Sequence, residues 1–249
     1  MINTIDEVIV RLTENVEESR RQGSRLGYFA ALYLRVTVAV KEGIANNQFQ
    51  NGERMERLDV GFASRYLEAF DLYRQGKQPT RVWQVAFDAA QHWRPLILQQ
   101  LLVGINAHIN LDLGIAAMQT APGDQLTGLK QDFDSINLIL ASLVLPVQKE
   151  IGELSPWIKF LERIDPSAND AIINFSLRVA RDSAWNFALA LNSLSEAEIP
   201  AAIQKRDSEF ADFAGLVLHP PGVFFNLGLL GIRLRESNDV ARVIDVLSK

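Results

Sequence analysis

His108 and Asp112 stand four residues apart in the stretch GINAHINLDLG. On a helix that spacing puts an imidazole and a carboxylate one turn apart on one face. The two can reach one divalent cation, and they can equally hydrogen-bond neighbouring helices. Asn106 and Asn110 repeat the spacing on roughly the opposite face, and the residues between them are apolar. Each pair must therefore find its partners inside the protein. A buried carboxylate left alone is costly or takes up a proton, so Asp112 implies a metal, another cation or a hydrogen-bond network.

Asp59 is a second acid out of place. It shares a helical face with Met55, Phe62, Ala63, Tyr66 and Phe70, so it is either paired inside or holding a ligand. Asn174, Arg178, Arg181 and Trp185 form a stripe beside the apolar face of Ile173, Leu177, Ala184 and Phe187. Its arginines can neutralise Asp59 or Asp112 or grip an anionic ligand, the alternative being a salt-bridged, partly solvated face. Asp132 and Asn137 enter through topology. If the helices on either side of Pro122-Gly123 form an antiparallel hairpin, Asp112 faces the level of Asp132 and His108 that of Asn137. His92, far along the chain from His108, reads as a local partner of Asp88, and His219 before Pro220-Pro221 as a loop residue.

These residues ride on helices. Thr4 and Glu7 open the first, which runs to about Gly23; a second spans Ser24 to Asn46 and a third Glu53 to Gln75. The fourth, Thr80 to Trp93, ends before Pro95. The fifth, Leu96 to about Gln119, is apolar almost all round, the pattern of a buried central helix. Asn106 to Asp112 alternates polar and apolar like a strand, but a lone strand in a helical chain has no partner for its backbone, so it reads as helix. A sixth helix carries Leu126, Leu129, Phe133, Ile136, Leu140, Leu143, Val147 and Ile151, with a kink expected at Pro146. A short segment between Pro156 and Pro166 precedes a seventh, Asn169 to Leu194, and a broken C-terminal region of residues 195–249 contains HPPG and FFNLGLLGI. The expected fold is one all-α domain over residues 1–249, a bundle of seven to nine helices.

Composition narrows the chemistry. Among 249 residues 48% are apolar and 22% charged, and there is no cysteine, which excludes disulfide scaffolds, thiolate zinc sites and thiol nucleophiles. The net charge of −5, with no long basic run, argues against a nucleic-acid partner. The N-terminus carries acids and no h-region, and the longest apolar runs are broken by Gln, Ser or Pro, so neither a signal peptide nor a transmembrane segment is expected and the setting is read as cytoplasmic. There is no glycine-rich phosphate loop, no G-x-S-x-G and no H-E-x-x-H.

Three stretches, ERLDVGFASRYLEAF, VWQVAFDAAQHW and LLVGINAHINLDLGIA followed by DFDSIN, together with RVARDSAWNFA, resemble a bacterial family of unknown function, DUF5995. The resemblance spans about Ser24 to Trp185 and implies no activity. GINAHINLD is also similar to the HxxxD of the helical zinc-dependent phospholipase C and P1 nuclease group, over His108 and Asp112 only. That group's trinuclear cluster needs further histidines and an N-terminal Trp, which are missing here, so a site of this kind would be carboxylate-rich and hold one or two ions of zinc, iron or manganese.

Two readings follow. In the first the protein is a metal-dependent hydrolase of an ester or phosphoester: His108, Asp112, Asp132 and Asp59 hold a divalent metal, Asn137 orients substrate or water, and Arg181 takes negative charge. In the second it is a non-catalytic small-molecule-binding or accessory protein, its buried polar network structural. Self-association into a homo-oligomer through FFNLGLLGI is a third, weaker option.

Overall fold

The structure, a computed structural model, describes residues 2–155 and 166–249, without the side chains of 166–176 and 223–225. Ten helices account for the described residues, and no strand occurs among them. They are α1 (Ile5–Gln22), α2 (Gly27–Ala45), α3 (Gly52–Arg74), α4 (Arg81–Gln91), α5 (Ile97–Thr120), α6 (Gln125–Leu154), α7 (Pro166–Asn192), α8 (Ile199–Leu218), α9 (Val223–Arg233) and α10 (Val240–Leu247). Thr4 caps α1 by accepting from the Glu7 amide, and Gly23 closes it at φ 63°, the left-handed region that glycine enters freely. The predicted breaks fall where expected, although α6 runs on through Pro146. The segment anticipated between Pro156 and Pro166 lies outside the described residues.

α5 is the axis of the bundle. α2, α3, α4, α7 and α8 all pack against it, and α6 meets it at its C-terminal turns. Its 24 residues are long and apolar enough to cross a bilayer, which the reading of its Gln-broken runs underestimated, and 78% of its most apolar window is buried inside the protein. Close approach to its neighbours depends on two glycines. A Cβ at Gly104 would stand 2.6 Å from the Phe29 ring, and one at Gly114 would stand 2.6 Å from the Ala184 carbonyl oxygen.

In the middle of α5, Asn106–Leu113 forms π-helical turns. Hydrogen bonds there close from i to i+5, a wider turn that is rare and recurs at functional sites. Both the helical reading and the strand-like alternation find their explanation here. In so wide a turn, residues four apart come nearly into line along the axis, so Asn106 stacks above Asn110 and His108 above Asp112.

The expected α5–α6 hairpin is not what the chain makes. α6 leaves the turn to pack mainly against α2, α7 and α10, and carries Asp132 and Asn137 with it.

Candidate functional site around His108

Every residue of the π-helical turns is buried except Asn110, which is half-buried. Their asparagine side faces α8. Asn110 Nδ2 donates to Asn106 Oδ1 at 3.0 Å, and Asn106 Nδ2 donates to the Phe210 carbonyl at 3.0 Å. Arg206 Nε donates to the Asn110 carbonyl at 2.7 Å, its guanidinium lying 4.6 Å from the ring centres of both Phe187 and Phe210. Burial lowers the Arg206 pKa. This arginine, which sequence reasoning missed, bolts the widened turn to α8.

The opposite side carries His108 into a shell of aromatic rings. Phe62 stacks on the imidazole with ring centres 3.5 Å apart and planes 10° from parallel. Tyr33 meets it edge-on at 4.3 Å, with Phe29, Trp83 and Tyr66 beyond at 5.6, 6.1 and 6.2 Å. Burial lowers the His108 pKa and outweighs the pull of Asp112, so the ring is neutral at neutral pH. His108 Nδ1 stands 3.7 Å from Asp112 Oδ2, beyond hydrogen-bond length, and neither ring nitrogen has a partner among the described residues.

Asp112, one turn on, is fully engaged. Arg65 Nε donates to its Oδ1 and the Trp83 indole N–H to its Oδ2, each at 2.8 Å. The sequence left its partner open among a metal, another cation such as Arg178 or Arg181, and a hydrogen-bond network; the structure assigns Arg65 on α3. Arg65 directly precedes Tyr66, at the border of the buried stripe, and that position was the only signal of its role. Trp83, read simply as core, is buried and also supplies a donor.

Asp59 is the opposite case. It is buried, its Oδ2 has no hydrogen-bond partner among the described residues, and burial, helped by Glu56, pushes its pKa up to about 7. Two tyrosine hydroxyls of the same cluster, Tyr33 Oη and Tyr66 Oη, are also buried without partners. Thr37, one turn from Tyr33, gives its hydroxyl to the Tyr33 carbonyl at 3.0 Å. Burial raises both phenol pKa values, and Asp59 adds to the shift at Tyr33. A buried polar atom without a protein partner is uncommon and calls for water or a ligand. Here Tyr33, Asp59, Tyr66 and His108 supply five such atoms around one ring cluster. Phe62 and Arg65, both half-buried, form its cover towards solvent.

Asp132 does not join this group. Its Oδ1 accepts from the Gln50 amide at 2.6 Å, and its Oδ2 accepts from the Asn51 amide at 3.2 Å and from Arg54 at 2.7 Å. It therefore ties α6 to the start of α3. Asn137 is half-buried further along α6. Arg181 is buried too, but it donates to the Phe133 carbonyl and lies 4.4 Å over the Phe133 ring, with burial lowering its pKa to about 10. Trp185 packs on the same Phe133 ring at 5.0 Å. The Asn174 side chain lies outside the described residues.

The residues expected to hold a divalent metal do not fit one as arranged. Among the described residues no three of His, Asp and Glu are grouped as a cation's ligands. The physical reason is that Asp112 and Asp132 already spend their lone pairs on arginines, an indole and amides.

A family model described as a family of unknown function, DUF5995, matches residues 5–220. The chain belongs to this family. The matched region reaches beyond Ser24–Trp185 at both ends and takes in α1, α8 and all of the His108 cluster. No curated protein and no solved structure was found to match.

Proposed function

We propose that this member of the DUF5995 family binds a small molecule between α2, α3 and α5, in place of the partners that Tyr33, Asp59, Tyr66 and His108 lack. One observation carries the reading: Tyr33, Asp59, Tyr66 and His108 hold five buried polar atoms without partners among the described residues, while the acids Asp112 and Asp132 are satisfied. The ligand class follows from the walls. Stacked and edge-on rings favour a planar or apolar body, and two phenols, a carboxyl and a neutral imidazole offer donors and acceptors to a few polar groups on it. Entry requires the Phe62 and Arg65 side chains to swing aside.

The test is native mass spectrometry of the purified protein, with a melting-temperature screen against small planar compounds that carry hydrogen-bonding groups. The expected result is an adduct released on denaturation, or a compound that raises the melting temperature. Either effect should fall at least about tenfold in apparent affinity in the Tyr33→Phe/Asp59→Leu variant, since two hydrogen-bonding groups are lost. No adduct and no stabilising compound, or equal effects in parent and variant, would overturn the reading.

A second reading is favoured by the Asp59 pKa of about 7, in a bundle that also buries a neutral imidazole. A carboxyl half-protonated at neutral pH suits general acid–base catalysis, and an ester would be the substrate class in keeping with the hydrolase expectation. Hydrolysis of p-nitrophenyl esters that disappears in Asp59→Asn and survives in Arg181→Lys would support it. Equal rates in both variants would sink it.

A further inference from the structure

We infer that the end of the molecule built by the α4–α5 turn, the C-terminus of α8 and helix α9 docks on an anionic lipid surface. Trp93, Leu102, Phe213, Leu216, Leu227 and Leu234 are between 42% and 68% exposed there. Hydrogen bonds gather them at one pole. Gln99 Nε2 donates to the Val217 carbonyl at 2.7 Å, Arg233 Nε donates to the Trp93 carbonyl, and Glu236 accepts from the Ile97 amide at 3.0 Å. α9 is held by its ends and packs along no other helix among the described residues. A patch of exposed large apolar side chains of this kind marks an interaction site rather than ordinary surface.

Charge identifies the occupant. The chain as a whole carries a net charge of −5, yet neither Ala89–Leu111 nor Phe213–Arg235 contains an Asp or Glu. Both stretches meet at this pole and bring Arg94 and Arg235, which are exposed. Leucines, a tryptophan and two exposed arginines, with the adjacent Asp212 paired to Arg81 and Glu236 buried, suit the headgroup boundary of an anionic bilayer, where apolar side chains enter the acyl region and guanidinium groups stay with phosphates. A second copy meeting this pole through a two-fold axis would set arginines against arginines.

Co-sedimentation of the full chain with phosphatidylcholine vesicles, with and without a quarter of phosphatidylglycerol, tests the inference. Binding is expected to the anionic vesicles only and to weaken as salt rises. Leu227→Asp/Leu234→Asp is expected to abolish it with an unchanged melting temperature. Arg94→Glu/Arg235→Glu is expected to weaken it by about tenfold or more, at roughly a factor of five for each arginine lost near the surface. No binding to anionic vesicles, or equal binding by parent and variants, would overturn the inference. So would a dimer seen on size-exclusion chromatography that Leu227→Asp dissolves, since a second copy would then cover the pole.

Discussion

Asp59 and Asp112 are both carboxylates buried in the same bundle, yet their surroundings differ in kind. Asp112 receives an arginine and an indole N–H at 2.8 Å each. Asp59 has an oxygen with no partner and a pKa raised to about 7. A paired buried acid holds neighbouring helices together, because removing either partner strands the other away from water. An unpaired one works against the fold at neutral pH. The same contrast separates Asp132, which ties α6 to α3, from the two tyrosine hydroxyls around His108.

The largest expected effect comes from removing the unpaired acid. A carboxyl with a raised folded pKa binds its proton more tightly folded than unfolded. The stability it contributes is complete below its ordinary value of 3.8 and is lost as the pH rises through about 7. At 1.36 kcal/mol per unit the loss amounts to about 4 kcal/mol. Asp59→Asn, followed by urea unfolding, should therefore gain on the parent steadily between pH 4 and pH 8. Parallel pH profiles would show that the Asp59 oxygen has a partner in solution.

Breaking the paired acid should act in the opposite direction and somewhat less strongly. Arg65→Met leaves Asp112 with the indole alone and should cost about 3 kcal/mol at pH 7, the low end for a buried pair because the Arg65 side chain is 24% exposed. A cost below about 1 kcal/mol would mean that other groups hold Asp112. Trp83→Phe keeps a ring stacked near Phe87, 5.1 Å away, and removes only the donor. Its expected cost in the same assay is about 2 kcal/mol, as for a hydrogen bond to a charged acceptor.

The smallest effect belongs to His108. Its lowered pKa means that the stability it contributes is present above about 6.5 and is lost as the pH falls. His108→Leu should lie within about 1 kcal/mol of the parent at pH 8, where Asp112 keeps both its partners, and should lose less than the parent at pH 5. If the variant instead unfolds readily at pH 8, the imidazole is the hidden partner of Asp112.

Much of this arrangement was legible before any coordinates. Helix starts and stops are local chemistry, so Thr4, Gly23 and Pro95 announced them. The buried polar residues were identifiable because an acid within an apolar stripe is conspicuous at any register. Which groups they meet was another matter. Arg65 and Asp112 lie on different helices, and nothing local in either says that the two cross there. The α5–α6 hairpin was a reasonable guess from a short turn, but the large apolar face of α6 found its match in α2, α7 and α10. With that departure Asp132 moved from a supposed ligand to a brace. The π-helical turns left only an ambiguous trace, a strand-like alternation inside a helical pattern, because their stability comes from Arg206 and Phe210 on a helix about a hundred residues away.

Those widened turns also set the rotational phase of everything after them in α5. An α-helix advances 100° per residue, and each wide turn uses more residues to complete a circle. Were these same eight residues to take up ordinary α bonding, the turns beyond them would swing around their axis. Gly114 would then leave the Ala184 carbonyl, where no Cβ has space, and a residue with a side chain would arrive in its place. The bonds from Arg206 and Phe210 to the wide turns thus also decide which residue meets α7 several positions further on.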